Sequence, residues 1–245
     1  MPAAKATAAR AAQRALVEAI RAGLAARADP SKAAPMQAYM KSAMPYRGVP
    51  TPGVRALCRA SFAAPRLASE NAWRDTVLEL WRQAAYREER YAAIELSGHR
   101  FYRDFQTMAA LPMYEEMIVT GAWWDYVDGL ASHQLGVLLT RFPSPMTKTM
   151  RAWAGSKDLW KRRSAILCQL SFKQATDLDL LYECIERAMD EPEFFLRKAI
   201  GWALREYAKT DAKEVLRYVR CHRTRLSPLS QREALKHVSP RSGDL

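Results

Sequence analysis

The chain has 245 residues, 38 of them Lys or Arg and 26 Asp or Glu, for a formal net charge of +12. That length buries a sizeable core without disulfide or metal staples, and the surplus of positive charge, spread along the chain, points to a polyanion such as nucleic acid. The four cysteines, Cys58, Cys168, Cys184 and Cys221, stand far apart, which excludes a CxxC metal site and a disulfide framework and fits a reduced environment.

The opening segment "MPAAKATAARAAQRALVEAIRAGLAARADP" is rich in Ala and Arg, yet its apolar positions Leu16, Ile20 and Leu24 recur every four residues. This spacing predicts an amphipathic helix within residues 1–30 in preference to a targeting segment. Beyond it, no apolar run approaches the ~18 residues of a membrane span, so a soluble, cytoplasmic protein is expected. Glycine is scarce and runs of period two are missing, so the whole chain reads as all-α. Pro112, Pro143 with Pro145, Thr176 before Asp177, Pro192, and Ser227 with Pro228 mark helix starts or short links. No link is long enough to hold separate domains apart, and residues 1–245 are expected to form a single one, ending in a disordered "SPRSGDL" at 239–245.

Aligned with itself, the chain repeats. "RYAAIEL", "RRSAILC", "RKAIGWA" and "REALKHV" share a small residue followed by an aliphatic one: Ala93-Ile94, Ala165-Ile166, Ala199-Ile200 and Ala234-Leu235. The small residues are 72, 34 and 35 positions apart, so a copy is missing near residue 129, where Gly129-Leu130 of "VDGLAS" is in register. A period of roughly 35 residues, enough for two helices and a turn, predicts an α-solenoid of HEAT-like type with about five to six two-helix repeats and a concave basic groove. The small residue lets neighbouring helices approach, which is a packing role.

Within this repeat, "GAWWDYVDGLAS" sets two tryptophans one turn ahead of Asp128. Relative to the small residue of its own copy, Trp124 lies at minus five, Asp128 at minus one, Arg163 at minus two and Trp202 at plus three. At about 100° per residue these positions fall within an arc of roughly 140° on equivalent helices, which would present Trp, Asp, Arg and Trp to one surface. An acid in so apolar a segment must be paired, solvated in a cleft, or functional. Arg163, in the basic run "KRR", is the residue aligned with it, and both a phosphate contact and a salt bridge to Asp128 are open to it. Trp123 points about 100° away from Trp124 and is expected in the core, while Asp125 reads as an acid near a helix start. The four histidines, His99, His133, His222 and His237, lack ligand spacing, and no GxGxxG, GxxxxGK[ST] or GxSxG run is present. Neither a metal nor a nucleotide cofactor is expected.

Several separated segments, "PMQAYMKSAMPYRGVPTP", "WWDYVD", "LWKRRSAIL", "EFFLRKAIGWALREYAKT" and "LSPLSQREALKH", resemble in order those of the AlkD-like DNA glycosylases, also called DNA alkylation repair proteins. The resemblance runs from about residue 30 to about residue 238. It implies a HEAT-like solenoid that binds duplex DNA and hydrolyses the N-glycosidic bond of cationic N3- or N7-alkylated purines, without a cofactor, as a monomer. Asp128 matches the family's catalytic acid, Trp124 and Trp202 its aromatic cleft walls, and Arg163 its phosphate-binding arginine. Tyr39, Thr51 and Arg205 match further DNA-proximal positions. Pro50 departs from the pattern, standing where relatives carry a polar residue, which puts the opposite-strand contact in doubt. The resemblance further implies that the lesion is attacked without full base flipping.

The chemistry suits the residue types. An alkylated purine is cationic and already a good leaving group, and bond breaking places positive charge on the deoxyribose. A carboxylate stabilises that charge and orients water, and indole faces attract cations by ~0.5–2 kcal/mol each. The competing readings are a non-catalytic DNA-binding solenoid for distorted or branched DNA, a HEAT-type protein scaffold, and an RNA reader, which the repeats disfavour because no pair of base-reading residues recurs.

Overall fold

The structure, a computed structural model, describes residues 2–63 and 66–238. The tail expected at 239–245 lies outside them. Among the described residues there are fourteen α-helices and no strand, so the protein is all-α, consistent with an α-solenoid. The chain divides into two compact units, residues 1–113 and residues 114–245.

The first unit contains α1 (Pro2–Ala25), α2 (Pro30–Met40), α3 (Thr51–Ser61), α4 (Glu70–Arg82) and α5 (Arg87–Ser97). The amphipathic stripe expected near the start is the buried face of α1: Leu16, Val17, Ile20 and Leu24 are almost fully enclosed, packed against α3, α4 and α5. Each such aliphatic side chain contributes roughly 1.5–3 kcal/mol on leaving water. Helix α1 ends at Ala25, and Asp29 then caps α2, accepting from the Ser31 N–H at 3.1 Å. Between α2 and α3 the chain is strapped by one side chain. Glu88, fully buried on α5, accepts the backbone N–H groups of Arg47, Gly48 and Val49 at 2.9–3.0 Å. Gly48 sits at φ +84°, and a Cβ there would meet the Asp29 carbonyl oxygen at 2.0 Å, so only glycine fits.

The second unit begins within α6 (Leu111–Gly121) and continues with α7 (Trp124–Gly129), a π-helical turn over Leu130–Leu135, and α8 (Gly136–Arg141). Helices α9 (Pro143–Ala154), α10 (Leu159–Leu167), α11 (Leu178–Glu186), α12 (Phe194–Ala208), α13 (Ala212–Cys221) and α14 (Pro228–Leu235) follow. The sequence punctuation falls where the physics puts it: Pro143 and Pro228 open α9 and α14, and Asp177 caps α11 through the Leu180 N–H. Helix α10 packs against α7 and α12, α12 against α14, and α9 against α11. The repeated small residues Ala165, Ala199 and Ala234, on α10, α12 and α14, are all buried. Close approach is extreme beside Trp202, where a Cβ on Gly201 would lie 2.4 Å from the Glu233 Cβ of α14.

Candidate functional site

The segment carrying Asp128 enters through a sharp turn. Ala122 holds a left-handed φ of +43°, at a cost of about 1–2 kcal/mol for a residue with a Cβ, and the chain then opens α7 with Trp123 extended at its N-cap. Asp125 lies in the first turn, where the helix dipole favours an acid. Trp124, half-buried, and Asp128 stand one turn apart on α7. The helix then widens into its π turn, and the Ser132 hydroxyl donates to the Asp128 carbonyl at 2.6 Å. Such π turns are rare and concentrate at functional sites. Trp123 turns away into an aromatic cluster with Trp160 and Phe195, ring centroids 6.3 and 5.4 Å distant.

Helix α10 is fixed at its start by Asp158, whose carboxylate accepts the N–H groups of Trp160 and Lys161 at 2.9 and 2.8 Å. One turn on, Arg163 is 4% exposed. Its Nε and Nη2 donate to the two oxygens of Asp128 at 2.7 and 2.8 Å, the parallel geometry that makes guanidinium–carboxylate pairs strong. Nη1 donates to the Phe195 carbonyl on α12. Of the two roles the sequence left open to Arg163, the structure forms the salt bridge. Its neighbours diverge as helical spacing requires: Lys161 pairs with Glu115 at 2.6 Å and Arg162 with Glu191 at 3.0 Å. The Asp128 side chain retains 13% exposure. Burial pushes its carboxyl above the ordinary aspartate value, the Arg163 hydrogen bonds and charge partly oppose this, and Asp125 adds to the rise.

That residual exposure opens onto a cleft of about 760 Å³. Asp128 and His133 line it from one side, Gln169 and Lys173 from the segment after α10, and Trp202, Glu206 and Tyr207 from α12. The structure thus brings Asp128 and Trp202 to one cavity. Arg163 stands behind Asp128 and Trp124 lies outside the cleft lining, so the arc of four does not form one wall. Ideal periodicity gives an angle around one helix and says nothing of where the neighbouring helix ends. The sequence reading passed over Lys173, Glu206 and Tyr207, and weighed His133 only as a metal ligand. Glu206 had a signal, four residues after Trp202 on the same face; Lys173 had none, because it sits in a short turn.

The remaining candidates lie further out. Arg205 pairs with Glu233 of α14, whose other oxygen holds Lys198 at 2.9 Å; Lys198 first, and Arg205 with it, keep the Glu233 carboxyl below its ordinary value. In the first unit, Tyr39 is 77% exposed, and Thr51 is exposed at the first position of α3. Pro50, the N-cap, offers no side-chain hydrogen bond, so the α3 amides next to Thr51 have no local acceptor from it. The four cysteines are free thiols, Cys221 alone among them exposed. Among the described residues no cluster of His, Cys, Asp or Glu is set to hold a metal ion, and no helix is long and apolar enough to cross a membrane.

Compared with known proteins, the chain has no match among curated sequences. It is similar to a solved structure described as "Predicted DNA alkylation repair enzyme from Enterococcus faecalis", with 30% identity and a TM-score of 0.72 over 88% of this chain and 98% of that one. The sequence model of the family described as DNA alkylation repair enzyme matches residues 20–238. That match spans the strap held by Glu88, the cleft and the Asp128–Arg163 pair, and the chain belongs to the DNA alkylation repair enzyme family.

Proposed function

We propose that the protein is a monofunctional DNA glycosylase that hydrolyses the N-glycosidic bond of positively charged N3- or N7-alkylated purines in duplex DNA. The observation that carries this is a carboxylate, Asp128, held nearly buried yet open to a cleft that an indole, Trp202, also lines, in a DNA alkylation repair enzyme. As the bond to a cationic purine breaks, positive charge grows on the deoxyribose. A fixed carboxylate in a partly dried site stabilises that charge far better than one in water, and can orient the attacking water. Trp202 attracts the cationic base through its ring face, while Trp124, half-buried one turn ahead of Asp128 and outside the cleft lining, would offer an aromatic surface beside the acid and not a facing wall. Arg163 favours the ionised form of Asp128 against burial and aims it; with three of its five N–H groups committed, its role is to position the acid. Arg205, Tyr39 and Thr51 contact the DNA outside the reacting nucleotide. The reaction needs no cofactor and no metal, leaves the strand uncut, and proceeds without full base flipping, in a cytoplasmic monomer.

The bidentate pair also favours a second reading, a DNA-binding protein of the same family whose Asp128 is only structural. Single-turnover release of 7-methylguanine from a duplex oligonucleotide separates the two. The native protein is expected to release the base and Asp128→Asn to lose at least a hundredfold in rate at equal saturation. No release by native protein that binds the duplex tightly would establish the second reading.

A further inference from the structure

Two lysines line the cleft beside Asp128, and they differ. Lys209, just past the end of α12, is committed, 2.7 Å from the Glu206 carboxylate of that helix. Lys173 is exposed and makes no ion pair among the described residues. The basic side chains that the sequence offered for this region are also engaged, Arg163 with Asp128 and Arg205 with Glu233.

The backbone at Lys173 is itself unusual. Its φ is +53°, the left-handed region in which a side chain costs about 1–2 kcal/mol. The surrounding turn enforces it. The Gln169 side chain donates to the Asp177 carbonyl at 3.0 Å and accepts the Asp177 N–H at 2.8 Å, clamping both ends. Inside the clamp the Ala175 N–H donates to the Phe172 carbonyl at 2.9 Å and the Thr176 N–H to the Lys173 carbonyl at 3.2 Å. A lysine is thus held where glycine would be easier, on a turn with little freedom, at the rim of the cavity that holds Asp128. A compact ammonium on a fixed base suits a phosphate oxygen.

We propose that Lys173 grips a backbone phosphate of the DNA beside the nucleotide on which Asp128 acts. The assignment rests on reading the cleft as the glycosylase site. It makes Lys173 a positioning residue: neutralising one phosphate at the cleft rim fixes the sugar against the carboxylate.

The test uses a duplex carrying a tetrahydrofuran abasic-site analogue, which cannot be hydrolysed, titrated with salt. Lys173→Gly relieves the left-handed backbone while removing the charge, so it folds; Lys173→Arg keeps the charge. Lys173→Gly is expected to bind three- to tenfold more weakly near 0.1 M salt, with the slope of log K against log salt smaller by about 0.9, and Lys173→Arg to bind like the native protein. Methylphosphonate substitution, one phosphate at a time around the analogue, should abolish the difference between native and Lys173→Gly at a single position. Equal affinity and slope for native and Lys173→Gly, or a difference that persists at every neutralised phosphate, overturns the assignment. Native protein that shows the Lys173 effect but releases no 7-methylguanine overturns the glycosylase reading and leaves the phosphate grip standing. A native protein without salt-dependent duplex binding overturns both.

Discussion

Arg163 and Asp128 are joined by two parallel hydrogen bonds of 2.7 and 2.8 Å, and the same guanidinium reaches the Phe195 carbonyl, so one side chain ties α7, α10 and α12 together at the wall of the cleft. The acid proposed to act on the sugar is therefore also a structural partner. Asp128→Asn should lower stability by about 1–3 kcal/mol, because a buried guanidinium is left facing a neutral amide. Arg163→Met should cost more, about 3–5 kcal/mol, by leaving a carboxylate unpaired. Urea denaturation of the three proteins checks the order; an Arg163→Met variant as stable as the native protein would show that the pair contributes nothing net.

The pH dependence follows from the same pair. Burial raises the Asp128 carboxyl above its ordinary value of 3.8, and the ionised form is the one that stabilises an oxocarbenium ion. The acid limb of the single-turnover rate should therefore lie above that of an ordinary aspartate, and Arg163→Gln should move it higher still. For stability the sign is fixed: the folded state prefers the proton, so this group's contribution is complete below its unfolded value and is lost as pH rises through the raised folded value. A rate profile flat down to an ordinary aspartate pKa in both proteins would show that burial does not raise the Asp128 carboxyl.

Trp202 supplies the aromatic face of the cleft. Trp202→Ala should slow release of cationic 7-methylguanine by roughly 2- to 30-fold, matching the ~0.5–2 kcal/mol of an indole–cation contact, with Trp202→Phe between. Competition with undamaged duplex distinguishes this from a loss of general DNA affinity, which should change less than the release rate.

Glu88 is predicted to matter far from any chemistry. Its carboxylate holds three successive backbone N–H groups just ahead of Thr51, and Glu88→Gln would turn a donor toward donors. A loss of about 2–4 kcal/mol is expected, together with weaker duplex binding if the start of α3 serves as a DNA contact. Gly48→Ala should be at least as damaging, since its Cβ would collide with the Asp29 carbonyl. Thermal melts of both variants, followed by binding at a temperature where each is folded, separate the two effects.

Much of this was legible in the chain. The stripe of Leu16, Ile20 and Leu24 dictated which face of α1 is buried, the prolines and Asp177 set helix starts, and the small residues Ala165, Ala199 and Ala234 marked where α10, α12 and α14 sit close. The pairing of Asp128 with Arg163 was one of two roles that a shared face allowed. These are local properties: propensity, capping and periodicity act over one or two turns, and a resemblance preserves them. What only the tertiary structure decided was which partner each charge takes and which side chains share a cavity. Arg205 meets Glu233 from 28 residues away, Trp202 faces the cleft that Trp124 does not line, and a strained turn brings Lys173 to its rim. Those outcomes depend on where separate helices end and how closely they pack, and no period along one helix carries that distance.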